Sequence, residues 1–521
     1  MLKGQKSESV YQKPSRTVKV LTIVLLCLLV GTFIRLRERI LYPYIPADVP
    51  QDELDRMNYV TYKRPFTKEE ILTAARASSL EYVADSQGIA VVMLNWKRLD
   101  NLKLIMQELH ADGIYSEFVV WNNNPDTVLN EELIFGERIP ERVVVVNSVD
   151  NLKDFGKYLG CQRAVAEICY MQDDDWDSSG YRESLLHSFL ARPGTEHGVT
   201  NKHTSIQNWA WTCYNAAARI HAGFMWGGCG SVFSRDAAVR HIGLIHSLLP
   251  VEFKYISDFF FPIWHNEPPV VYTVDIKQGE LDTNDAISEE TGFGKFMHEA
   301  GVLAMDRLWT ADESIFRNRK RQLRHITHAI RADDGGLFLT NTGVQRDFER
   351  VSCTLEDDPA RFTFDRTLCR TSNRLCGIHH QYLNHMPPFA IDDDPNTCYE
   401  GAVLPGRPAF FGYDLLTPHT DVIISAKMGG YGYGAVHALS PIGNALNVSI
   451  SLDAQVWHSL VTPALRVRET SDGLLTFTLD SSAMAGETQA FRAFIVTLPP
   501  AEDMYMLQVC HLNVVGNKVR S

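Results

Sequence analysis

Ile168-Cys169-Tyr170-Met171-Gln172-Asp173-Asp174-Asp175-Trp176 is the stretch that decides how this chain is read. A short apolar run is followed at once by three carboxylates. Such a run suits a strand buried on both faces. In open α/β sheets, ligands gather at the carboxyl ends of strands. Adjacent carboxylates repel, so three together are costly unless a cation neutralises them. Their hard oxygens suit Mn²⁺ or Mg²⁺. An ion held there bridges a diphosphate and stabilises a leaving nucleotide. Two plainer readings compete. Asp175, Asp177, Ser179 and Gly180 fit the early positions of an EF-hand loop, but Leu186 stands where a bidentate Glu is required. Alternatively Asp177, Ser178 or Ser179 caps a helix carrying Leu185, Leu186, Phe189 and Leu190. Capping accounts for one residue and not for three.

Outward from the triplet, the same texture repeats. Ile89 to Leu94, Phe118 to Trp121 and Val143 to Val146 are apolar runs, and Leu99, Leu102, Ile105, Met106 and Leu109 lie at helical spacing. Runs alternating with helical stretches predict an α/β layer with a largely parallel sheet over 88–310. Residues 311–349, with Arg317, Arg319, Lys320, Arg321 and Arg324, are expected to be a basic helical linker. From 350 to 521 the runs Val422–Ser425, Leu446–Leu452, Leu465–Val467, Leu475–Leu479, Phe491–Leu498 and Met506–Val515 sit between turn residues, which predicts a β-sandwich domain. The fold class expected is therefore α/β followed by a β-sandwich.

The 521 residues suggest about three domains. Hydrophobic residues at 45% and charged residues at 22% exclude a wholly disordered, collagenous or multi-span membrane chain. The net charge of −13 argues against bulk attraction to nucleic acid. Val20 to Ile34 carries no charge and lies between Lys19 and Arg35. It is short for a hydrocarbon core of about 30 Å, but flanking Lys and Arg can snorkel. Arg35-Leu-Arg-Glu-Arg39 follows, where a cleaved signal would need small residues. The expectation is a signal-anchor at 20–34, a cytoplasmic tail at 1–19, a stem at 35–87 and a luminal body. That is a single-pass type II protein of the Golgi or endoplasmic reticulum membrane, held by one N-terminal helix. The stem is interrupted by Pro43, Pro46, Pro50 and Pro65, and only the stretch after Thr67 reads as a helix. Of ten cysteines, some should pair in an oxidising lumen. Asn447-Val-Ser is a standard glycosylation sequon.

Asn95-Trp-Lys-Arg98-Leu-Asp100, Val119-Val-Trp121-Asn122-Asn123 and Asp173-Asp174-Asp175 resemble the GT-A glycosyltransferase module of exostosin-like enzymes. Gly198-Val-Thr-Asn-Lys202-His203, Gly227-Gly-Cys-Gly-Ser231-Val-Phe233, Ser257-Asp258-Phe-Phe and Gly292-Phe-Gly-Lys-Phe-Met-His298 are similar to later segments of that module, in the same order. The likeness covers about 88–305. It departs from the family where two acids are usual and Ser257-Asp258 stands, at Leu94, and at Asn151-Leu-Lys-Asp-Phe-Gly-Lys157. Ala390-Ile-Asp392-Asp-Asp394-Pro-Asn-Thr397-Cys398-Tyr399 is similar to the opening of discoidin-like, galactose-binding sandwiches, with Asp392–Asp394 before Pro395 best read as a loop or Ca²⁺ site.

The resemblance implies a metal-dependent transferase using a nucleotide sugar, a UDP-sugar with retention of configuration, and a glycan or glycoconjugate acceptor. It implies that Asp175 is the metal ligand, with Asp173 and Asp174 facing ribose and sugar. It places Arg98 at the diphosphate, where a guanidinium suits paired oxygens, Asn123 at the uracil, and Asp258 near the anomeric carbon as the catalytic carboxylate. His298 would meet the metal or the diphosphate. Trp209, Trp211 and Trp226 would stack on sugars. Each has a plainer alternative: a surface helix-start arginine, a turn asparagine before Pro125, a helix N-cap for Asp258, a structural histidine, and core aromatics. An inverting transferase of the same fold would use Asp258 as the base. The competing function is a membrane-anchored lectin without catalysis.

Overall fold

The computed structural model describes residues 57–61, 64–80, 87–191, 193–201, 210–215, 220–267, 269–274, 276, 281–282, 293–310, 315–316, 327–330, 336–342, 385–394, 396–403, 406, 408–432, 446–460, 465–469, 474–481, 490–500, 502 and 505–520. The first described elements are β1 (Asn58–Thr61) and α1 (Lys68–Ala77). A capping box starts α1. The Thr67 side chain accepts from the Glu70 amide while the Glu70 carboxylate accepts from the Thr67 amide, so two orphan donors are satisfied together.

The apolar runs upstream of the triplet are strands. They are β2 (Ile89–Asn95), β3 (Glu117–Asn122), β4 (Val143–Asn147) and β5 (Ile168–Met171), joined through α2 (Leu99–Ala111), α3 (Glu131–Phe135) and α4 (Phe155–Arg163). The chain continues through α5 (Arg182–Ala191), β6 (His197–Asn201), the hairpin β7 (Ala210–Asn215) and β8 (Ile220–Met225), β9 (Ser231–Ser234), α6 (Arg235–Leu248), α7 (Ser257–His265), β10 (Val270–Val274) and α8 (Phe293–Thr310). Seven strands form one sheet in the order β10-β6-β9-β5-β2-β3-β4. β9 runs antiparallel to β5 and β6, and the other neighbours are parallel. Alternation along β2 sends Ala90 and Val92 to one face and Ile89, Val91 and Met93 to the other. The first face packs on α4, α6, α7 and α8, the second on α2, α3 and α5. Leu102, Ile105, Met106 and Leu109 form the buried stripe of α2. A buried Cys161–Cys169 disulfide ties α4 to β5.

The remaining strands are β11 (Thr327–Ile330), β12 (Leu337–Thr340), β13 (Tyr399–Val403), β14 (Ala409–Gly432), β15 (Asn447–Ser451), β16 (Val456–Ser459), β17 (Leu465–Glu469), β18 (Leu475–Asp480), β19 (Phe491–Leu498) and β20 (Tyr505–Lys518). This strand-rich region differs from the two separate sheets of a sandwich. Its ten strands and β1 are one hydrogen-bonded set, and β14 is the reason. Ala409–Asp414 pairs with β19, and Ile423–Met428 pairs with β18. Between them the register shifts, and Leu416 and Asp421 adopt positive φ. Such bends let one strand pass from one layer to another. The buried Asp414–Arg492 ion pair, at 2.8 and 3.0 Å, and the Leu416 amide on Asp414 fix the corner. A Cys398–Cys510 disulfide joins β20 to the chain just before β13.

Three expectations are corrected. The region read as a linker supplies β11 and β12, an antiparallel pair in which Leu337, Phe338 and Leu339 are all buried. Three consecutive buried apolar residues have no helical stripe; Arg317 to Arg324 lie outside the described residues. The region read as a stem supplies β1, which adds to β16 in parallel, and Phe66 and Ile71, which enter the core of the strand-rich region. The expected membrane attachment through a single N-terminal helix, and with it a single-pass type II location, is overturned among the described residues, where no helix is long and apolar enough to cross a membrane. Val20–Ile34 itself lies outside them. Asn447, the sequon residue, is exposed at the start of β15.

Candidate active site

The carboxyl ends of β2, β3 and β4 carry an asparagine ladder. Asn95, Asn122 and Asn147 stand in register. Asn95 Nδ2 donates to Asn122 Oδ1 at 2.7 Å, and Asn122 Nδ2 donates to Asn147 Oδ1 at 2.9 Å. The ladder fixes the loops that leave these strands. Asn123 follows it, 2% exposed, and its amide clamps the next loop: Nδ2 donates to the Lys153 carbonyl and Oδ1 accepts from the Leu152 amide. Its side-chain amide thus holds that loop beside the ends of β3 and β4.

The triplet follows β5 directly. Arg98, at the start of α2, is 16% exposed and pairs with Asp174 and Asp175, each at 2.9 Å. It is thus no surface arginine. Asn101 braces the same loop, donating to the Asp174 and Asp282 carbonyls. Burial pushes Asp174 up to about 7 against the pull of Arg98, with Asp173 and Asp175 adding repulsion. Burial and Asp173 also raise Asp175.

A second cation meets the triplet. Lys157, on α4, is buried, with its ammonium 2.7 Å from Asp173, 2.6 Å from Asp258 and 3.7 Å from Asp154. Burial opposes its charge, but the three carboxylates outweigh burial and hold it well above the usual lysine range. Asp258 lies in the first turn of α7, whose N-cap is Ile256. It caps nothing and points to Lys157. Burial raises Asp258 and Asp154, the latter to about 8. Sequence reasoning missed Lys157. A lysine in a helix ordinarily reads as solvated; the one available signal was Asp154 three residues earlier, on the same helix face.

The small-residue segment fits under these groups. The Asp173 amide donates to the Gly228 carbonyl at 2.7 Å. A Cβ on Gly228 would overlap the Asp173 carboxylate and stand 2.6 Å from Trp226 Nε1. Gly228→Ala should therefore displace Asp173, costing about 1–3 kcal/mol of stability and at least tenfold in donor turnover. Thermal melting and a turnover assay check this, and unchanged values of both would show that the segment yields freely. Trp226 is half-buried beside Gly228. Trp209 and the side chains of Trp211 and His298 lie outside the described residues.

The site brings together Arg98, Asp173, Asp174, Asp175 and Asp258, and adds Lys157 and Asp154. Among the described residues, no three His, Cys, Asp or Glu converge to hold a metal by themselves. Asp175 Oδ1 is nevertheless buried without a hydrogen-bond partner among the described residues. One free carboxylate oxygen fits a hard cation of the Mg²⁺ kind, which is commonly held by one or two carboxylates plus substrate phosphates.

No family model matches the chain, and no curated protein matches it. Among solved structures it is similar to glucosyl-3-phosphoglycerate synthase from Mycobacterium tuberculosis in complex with Mn²⁺, uridine diphosphate and phosphoglyceric acid, at 12% identity over 49% of this chain and 87% of that one, with a TM-score of 0.31. It is also similar to 4-diphosphocytidyl-2C-methyl-D-erythritol synthase from Anaerococcus prevotii, at 9% identity over 38% and 94% of the two chains, with a TM-score of 0.27. HddC from Yersinia pseudotuberculosis stands at 9%, 36%, 92% and 0.26. At such TM-scores none of these likenesses decides the chemistry, which rests on the side chains.

Proposed function

We propose that the chain is a glycosyltransferase that moves a sugar from a nucleoside diphosphate donor, a UDP-sugar by its motifs, to a glycan or glycoconjugate hydroxyl. One observation carries this reading. Two carboxylates from distant parts of the chain, Asp173 after β5 and Asp258 on α7, meet one buried ammonium, beside an Arg98-bound acidic pair.

In the transfer, the bond from the anomeric carbon to the diphosphate oxygen breaks, a bond to the acceptor oxygen forms, and the acceptor's hydroxyl proton passes to the leaving diphosphate. A divalent cation on Asp175, when bound, supplies charge neutralisation to the leaving diphosphate. Arg98 offers a planar, permanently charged donor array that suits paired phosphate oxygens. Asp258, held by Lys157, supplies a negative charge for the positive charge that develops at the anomeric carbon. Asp173, on the same ammonium, is placed to orient the sugar.

The test is nucleotide-sugar hydrolysis by the purified chain with Mn²⁺, across a panel of donors. Hydrolysis should appear with one donor class and vanish with chelator. Asp175→Asn should lower it at least a hundredfold while the melting temperature holds, because one hard ligand is lost. Activity at near wild-type level with chelator present would contradict the metal role. Glycan binding with no hydrolysis of any donor would point instead to a lectin.

A further inference from the structure

Under the triplet lies a buried side chain that the chemistry above leaves unused. Gln172 stands between β5 and Asp173 and is 1% exposed. Alternation along β5 sends Tyr170 to the face covered by α2, α3 and α5, and Met171 to the face covered by α4. Gln172 reaches back to Tyr170, while Asp173 turns the other way to Lys157. Two buried hydroxyls meet the Gln172 side chain. Those of Tyr170 and Ser178 each donate to its Oε1 at 2.6 Å, and they stand 2.7 Å from each other. Gln172 Nε2 donates to the Trp176 carbonyl at 3.0 Å. The residue that precedes the triplet therefore grips the main chain just after it.

We propose that Gln172 is a positioning residue of this active site: its amide closes Asp173, Asp174 and Asp175 into a fixed arc, fastened through Tyr170 and Ser178 to the back of β5. This rests on the glycosyltransferase reading and deepens it. Adjacent carboxylates push one another apart, and an untied loop would let them spread. The main chain of the arc is also held from other segments. The Asp173 amide donates to the Gly228 carbonyl at 2.7 Å, and Asn101 Nδ2 donates to the Asp174 carbonyl at 2.7 Å. Gln172 adds the hold at the far end, on Trp176. A carboxamide suits this place because it accepts and donates from one uncharged group. A carboxylate there would repel the triplet and could not donate to Trp176. Placement matters because a shift of about 1 Å in a binding group can cost on the order of a hundredfold in rate.

The test uses Gln172→Met, which keeps the length of the side chain and removes both hydrogen-bonding ends. With neither metal nor nucleotide present, hydrogen exchange over residues 173–179, read by mass spectrometry, should quicken about tenfold in the variant. The amides that report it are those of Asp173 and Ser179, bonded to the Gly228 carbonyl and the Asp177 carboxylate. Calorimetric binding of uridine diphosphate with Mn²⁺ should weaken about tenfold, and donor hydrolysis should fall by about tenfold or more. A residue that only supported the fold would lower the melting temperature and leave binding and hydrolysis by the folded protein as they were. Unchanged exchange overturns the hold on the arc, and the inference with it. Faster exchange with wild-type binding and hydrolysis overturns the positioning role and leaves the transferase reading intact. A wild type that binds no uridine diphosphate and hydrolyses no donor overturns the transferase reading and the role that rests on it. If Gln172→Met does not fold, Ser178→Ala decides. It removes one of the two hydroxyls on Gln172 Oε1 and should move exchange, binding and hydrolysis in the same directions. Wild-type values of all three in that variant overturn the inference.

Discussion

Lys157→Met should abolish donor turnover and lower folding stability by about 3–5 kcal/mol, the usual result of removing one partner from a buried charge cluster. The ammonium is 3% exposed and lies within 2.7 Å of both Asp173 and Asp258. Methionine fills much the same volume without charge, so three neighbouring carboxylates would be left buried and mutually repelling. Their remedy is to take up protons: Asp154 is already held at about 8 with the ammonium present, and its loss raises Asp154 and Asp258 further, so the variant should recover part of its stability as pH falls from about 8 toward about 5. Denaturant unfolding at pH 5 and pH 7.5 measures both effects. Lys157→Arg keeps the charge but not the compact ammonium; it should restore most of the stability and little of the turnover. A Met variant with unchanged stability and turnover would show that Lys157 is a bystander.

Asp258→Asn should lower turnover by about 10²–10⁴ and leave nucleotide affinity within a few-fold of wild type. The reason is geometric. Asp258 is the second residue of α7, does not cap it, spends one oxygen on Lys157 and lies beside the Tyr158 hydroxyl. An interaction that matters mainly as positive charge develops on the sugar shows in turnover and not in ground-state binding. Asn keeps the shape and removes the charge, and Lys157 then retains Asp173, so the fold should survive. Near-normal turnover would take Asp258 out of the reaction.

The elements that were legible are those governed by local rules. The runs at Ile89, Phe118, Val143 and Ile168 are strands because continuous β-branched and apolar residues suit a sheet covered on both faces. The stripe Leu102, Ile105, Met106 and Leu109 faces the core. The triplet stood out because adjacent charges at a strand end demand an explanation. What stayed hidden depends on distant partners. Lys157 is buried only because Asp173 and Asp258 arrive from 16 and 101 residues away along the chain. Asn123 looked like a ligand residue or a turn residue, and its hold on a loop 30 residues later could not be read from the sequence. β14 was visible only in part, since Gly, Pro and Asp within it signal turns, whereas a strand changing partners uses them to bend.

The most direct test is equilibrium binding of uridine diphosphate, measured by calorimetry with and without Mn²⁺, on the wild type and on Asp175→Asn. The expected result is binding that needs the cation, is weakened at least tenfold by Asp175→Asn, and is weakened as well by Arg98→Ala. Absence of binding to any nucleoside diphosphate, or binding indifferent to the cation and to both substitutions, would contradict a donor site built on this triplet.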